Sequence, residues 1–135
     1  MQLEMSEKQY RRLLDLVYIG NWVLNSTRGD DRIREYDEVE SLVFSHCLSH
    51  GMASLVDLYQ GELIPSRAFA EGGIHEAILS YEDAVFFEIL AQELALRDME
   101  DQGRAGDAEE LENRVEDYLG EFEQNGTENI TVDMP

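Results

Sequence analysis

The sequence predicts an all-α protein: a compact bundle of about five helices with an acidic C-terminal helix and a loose tail. Three observations carry this. Apolar residues recur at spacings of three and four along nearly the whole chain. Helix-start signatures recur at Ser6/Gln9, Ser80/Asp83 and Asp107/Glu110. Valine and isoleucine rarely alternate with polar residues, as a half-buried strand would require, and only ENITVDM near the end has that look. The chain has 135 residues, 43% of them hydrophobic, which suits one folded domain. We place that domain at 1–122 and a flexible acidic tail at 123–135.

The first helix starts after Ser6. Tyr10, Leu13, Leu14, Val17 and Leu24 form one apolar stripe, and Leu16, Ile19 and Val23 form a second on another side. A helix apolar on two sides lies at the centre of a fold or at a subunit interface. It should end near Thr27 to Gly29. Asp30 or Asp31 can cap the second helix, with Ile33, Tyr36, Val39, Val43 and Cys47 as its stripe and Gly51 as its stop. MASLVDLYQG reads as a short helix, and GELIPSRAFAEGG as a connection and hinge. Residues 74–102 form one long helix or two, with a possible break at Ser80. Ile74, Ile78, Tyr81, Val85, Ile89 and Leu96 share one face, while Leu79, Phe86, Phe87, Leu90 and Leu94 cover another. Asp107 and Glu110 open a last helix whose seam is Ala108, Leu111, Val115, Tyr118 and Phe122.

Charge narrows the function classes. Thirty acids face ten bases, a net charge of −20. Such a surface argues against direct nucleic-acid binding, which needs a basic footprint, and against docking on an anionic membrane. It leaves metal ions and basic protein surfaces as partners. The excess is concentrated at residues 98–135, where Arg104 and Arg114 are the only bases. A charge run is most often a solvated face. The sharper reading is a surface for a basic partner, including a DNA-mimic type of inhibitor. The single cysteine, Cys47, excludes an internal disulfide and fits a cytoplasmic setting. MQLEMSEKQYRRLL has no continuous apolar core of the signal-peptide kind.

Chemistry-bearing residues gather in FSHCLSHG, residues 44–51. His46 and His50 lie four apart, on one helix face, at the spacing that divalent metals use for two ligands. Cys47 points about 100° away from His46. The stretch is therefore at most half a site. Its completion would come from Glu71, His75 or Glu76, with His46, His50 and His75 as the metal-ligand candidates. The competing reading is plain structure: Cys47 in the apolar stripe as a small hydrophobe, and the histidines near a helix C-terminus. A reactive Cys47 would need an electropositive, partly exposed setting, which this acidic chain does not offer. Two carboxylates sit oddly. Glu40 falls within its helix's apolar stripe, and Glu88 is the lone charge in AVFFEILA. A buried carboxylate needs a partner or holds its proton, so both are candidates for a raised pKa, acid–base work or an ion pair. There is no HExxH, no di-iron Glu-x-x-His repeat, no phosphate-binding glycine loop and no nucleophile elbow.

These readings lead to an expected function by contact: a small acidic all-α adaptor or regulatory protein, homodimeric, without a catalytic motif or a resident cofactor. A metal-binding helical protein is the competing expectation, and a small enzyme using Glu40 or Glu88 the third.

Overall fold

A computed structural model describes residues 1–135. The chain divides into two compact units, Met1–Ile78 and Leu79–Pro135. It is mostly α, with four long helices, one single helical turn and a small two-stranded sheet.

In the first unit, α1 spans Glu7–Asn25. Its start is the expected capping box: Ser6 Oγ accepts from the Gln9 amide at 3.1 Å, and Gln9 Oε1 accepts from the Ser6 amide at 2.9 Å. α2 spans Arg34–Ser45 and tightens into a 3₁₀ turn at His46–Ser49. The cap of α2 is not Asp30 or Asp31. Asp31 instead accepts from the Gly29 amide at 3.1 Å and pairs with Arg28 at 3.0 Å. Ile33 precedes the helix, and its amide donates to Asn25 Oδ1 at 2.8 Å. The end of α1 thus supports the entry to α2.

The stretch expected as a short helix after Gly51 is a 3₁₀ turn, Ala53–Leu55, followed by strand β1, Val56–Tyr59. β1 pairs antiparallel with β2, Glu62–Pro65, with Val56 opposite Pro65 and Tyr59 opposite Glu62. The two turn residues, Gln60 and Gly61, both have positive φ (50° and 81°). That is the primed turn whose twist suits a two-residue hairpin. Glutamine is an unusual first residue there, so the turn carries no Asn-Gly signature. A single turn, α3 (Arg67–Phe69), and a wide turn, Ala70–Ile74, then lead into α4. Gly73, at φ 116° and ψ −12°, makes the bend.

The core of this unit comprises Tyr10, Leu14, Phe44, Cys47, Val56 and Phe69. Phe44 meets Phe69 edge-on at 5.0 Å, and the Arg11 guanidinium lies 4.9 Å from the centre of the Phe69 ring. The inward face of α2 differs from the expected stripe. Tyr36 and Val39 are exposed, whereas Asp37 and Glu40 are half-buried and Phe44 and Cys47 fully buried. The face that turns inward is Ile33, Asp37, Glu40, Phe44 and Cys47, one position along from the apolar reading.

α4 runs unbroken from His75 to Asp101, so Ser80 starts no helix. It supplies the first helix of the second unit, and α5, Ala108–Asn125, the second. α4 ends in a Schellman closure. Gly103 has φ 69°, and the Arg104 amide donates to the Met99 carbonyl at 2.8 Å. Asp107 caps α5 by accepting from the Glu110 amide at 3.1 Å. Ala91, Ala95, Met99 and Phe122 are buried, and Phe87 packs on Phe122 at 5.2 Å. The small side chains at 91 and 95 form the buried seam, while Tyr81, Ile89 and Leu96 of the first expected face are exposed, as are Leu79 and Phe86 of the second. Residues 131–135 carry no regular structure, so ENITVDM is not a strand.

Candidate functional site

The three histidines take two separate places within the first unit. His46 and His50 line one groove of 690 Å³ along α1 and α2, which the first seven residues also line. His50 Nδ1 stands 3.8 Å from Glu7 Oε1, and its ring lies 5.6 Å from that of Tyr10. His75 instead opens α4, with Nε2 hydrogen-bonded to the Tyr18 hydroxyl at 2.6 Å. The Trp22 ring meets the His75 imidazole edge-on at 4.7 Å. No three histidine, cysteine or acidic side chains gather where they could share an ion. α2 ends at Ser45, a 3₁₀ turn carries His46, and His50 lies just past it, so the two share a groove but not the α-helical face their spacing predicted, and His75 has aromatic partners instead.

Cys47 is fully buried and unpaired by any disulfide. The Tyr10 hydroxyl donates to the Val43 carbonyl at 2.8 Å and lies 3.3 Å from Cys47 Sγ. With the hydroxyl proton committed to Val43, the thiol is the donor in the second contact. Burial, then the contact with Cys47, pushes the Tyr10 phenol well above its ordinary value. The thiol is thus a core group, out of reach of solvent.

The two odd carboxylates part company. Glu88 is exposed, so it is not the buried carboxylate the sequence suggested. By helical spacing it lies three and seven residues before Ala91 and Ala95, on their side of α4, but at its own level the side chain is open to water, where a lone charge costs little. Glu40 is half-buried on the inward face of α2. Burial pushes its carboxyl up to about 7, the neighbouring Asp37 adds to the rise, and the Asn21 amide and Arg32 oppose it.

Glu40 lies beside a polar network that the apolar pattern did not disclose. Asn21 Nδ2 donates to Asp37 Oδ1 at 3.0 Å, and Asn25 Nδ2 donates to Asn21 Oδ1 at 2.7 Å. Asn25 also donates to the Ile33 carbonyl at 3.0 Å. Arg32 grips both Asp37 oxygens, at 2.6 and 2.7 Å, and that guanidinium holds the Asp37 carboxyl below its usual range. Tyr18 is raised by burial and by the charge of Glu40. Tyr18, Asn21 and Asn25 are spaced three and four apart, which puts them on one side of α1. That spacing is the signal a polar-residue count along α1 would have found. Every buried side-chain polar atom in the chain has a partner.

Chemically, the cluster sets a carboxyl raised to about 7, Glu40, beside an ion pair and two amides. Its bonds tie the end of α1 to the start of α2. Compared with known proteins, the chain matches no family model, no curated protein and no solved structure.

Proposed function

We propose that the chain is a small acidic interaction protein that works by contact as a homodimer in the cytoplasm, without a catalytic site. The observation that carries this reading is the apolar surface its helices leave open. On α4, Leu79, Phe86, Ile89 and Leu96 are 44–58% exposed, and on α1 Leu16 and Val23 are 69% and 68% exposed. Single exposed apolar residues are ordinary, but a row of large ones along one helix marks a contact surface. No helix is long and apolar enough to cross a membrane, so that row is not a span.

A basic protein surface is the further partner this reading implies. Exposed acids crowd α5, with Glu109, Glu112, Glu116, Asp117 and Glu123 all open to solvent. Their field would speed encounter with a cationic patch, and salt would weaken it. Light scattering at high micromolar concentration tests the homodimer: the expected mass is twice the 15.5 kDa of the chain. A pull-down at low and high salt tests the basic partner, whose retention should fall with salt. Capture that ignores salt counts against it.

A further inference from the structure

The exposed row on α4 has an internal symmetry that points to its occupant. Leu79, Phe86, Ile89 and Leu96 are separated by seven, three and seven residues. These are the a and d positions of a heptad seam, and the row reads the same in either direction. In an antiparallel two-fold contact residue i meets j while j meets i, so a row with this spacing sets each apolar residue against another apolar one. Resting on the homodimer reading above, we infer that two copies pair through α4 antiparallel, about an axis between Phe87 and Glu88. This register sets Leu79 against Leu96 of the second copy and Phe86 against Ile89.

Two further observations favour this pairing. The second unit is a helical hairpin whose buried residues are only Ala91, Ala95, Met99 and Phe122. Two helices bury little, and two such hairpins make a four-helix bundle with a core of its own. The direction follows from charge. Asp98, Glu100 and Asp101 crowd the end of α4. Parallel pairing would bring both clusters together. Antiparallel pairing parts them by about 31 Å or more, at a rise of about 1.5 Å per residue, well beyond the ~8 Å screening length.

Glu82 and Glu93, both exposed, take the two seam positions left over. In this register Glu82 faces Glu93 of the second copy, so the native seam carries two like-charge contacts and is weak.

Sedimentation equilibrium on the full chain tests the register. Glu82→Lys turns both like-charge contacts into opposite-charge ones, and we expect dimerisation about three- to tenfold tighter. Adding Glu93→Lys restores like charges, so the double variant should fall back toward the parent even though its net charge is lower still. Ile89→Glu should weaken the dimer at least tenfold, with circular dichroism unchanged because the site is exposed. A double variant that binds tighter than Glu82→Lys would show general charge relief and overturn the antiparallel register. A parent dimer that neither Ile89→Glu nor Glu82→Lys alters would place the contact elsewhere, overturning this inference but not the homodimer. A parent and a Glu82→Lys variant that are both monomeric throughout would overturn both.

Discussion

The Tyr18 hydroxyl and His75 Nε2 lie 2.6 Å apart, joining the middle of α1 to the first turn of α4. Trp22, one turn along α1, closes on the same imidazole. The contact lies just past the Gly73 bend, so it fixes where α4 begins relative to α1 within the first unit. Tyr18→Phe leaves the imidazole nitrogen without this partner and should cost about 1 kcal/mol. His75→Ala should cost more, since it also removes the edge contact with Trp22. A double-mutant cycle should give a coupling of about 0.5 kcal/mol or more, and strictly additive losses would count against it.

Glu40 gives the first unit a stability that depends on pH. Its folded carboxyl is raised from 4.5 to about 7. Well below 4.5 both the folded and unfolded chains hold the proton, and Glu40 contributes no penalty. As pH rises toward 7, the unfolded chain ionises first, so stability falls, and above 7 the full penalty is present. Glu40→Gln removes the ionisation. Its melting temperature should match the parent near pH 4 and exceed it at pH 8. The gain should be about 1 kcal/mol after discounting for solvent at the half-buried group, roughly 4–8 °C. Equal melting temperatures at pH 8 would contradict the burial of this carboxyl.

Glycine substitutions separate strained from relaxed backbone. Gly73 sits at φ 116°, a conformation that side chains rarely adopt. Gly73→Ala should destabilise by about 1 kcal/mol or more. Gly120 lies inside α5 with no atom within 4 Å of an added Cβ. Gly120→Ala should therefore stabilise by about 0.5–1 kcal/mol. Thermal melts of the two variants should move in opposite directions.

What was legible in the sequence is mostly what is local. The Ser6/Gln9 box and the Asp107 cap are decided by residues three apart, and both occur as read. The burial of Cys47 and Phe122 followed from apolar spacing. The β1–β2 hairpin escaped because its turn uses Gln60, which leaves no composition signal at a position of positive φ. The inward face of α2 escaped for a different reason. An apolar wheel counts Tyr36 and Val39 as core and singles out Glu40 within the stripe, yet the chain turns Asp37 inward beside Glu40 because Asn21, Asn25 and Arg32 can satisfy it. Those partners lie on another helix and a loop, where no window along one helix sees them. Ser80 looked like a start because a capping box needs only four residues, but the helical hydrogen bonds of α4 run through it.

Self-association and capture of a basic partner should respond to salt in opposite senses. Two chains of net charge −20 repel, so screening favours an apolar homodimer, while it weakens attraction to a cationic surface. The most direct measurement is the weight-average mass of the full chain by sedimentation equilibrium, from low to high micromolar, at about 50 mM and 500 mM salt. The account predicts a monomer–dimer equilibrium that tightens severalfold at the higher salt. A mass of 15.5 kDa throughout, or a dimer that salt dissolves, would contradict it.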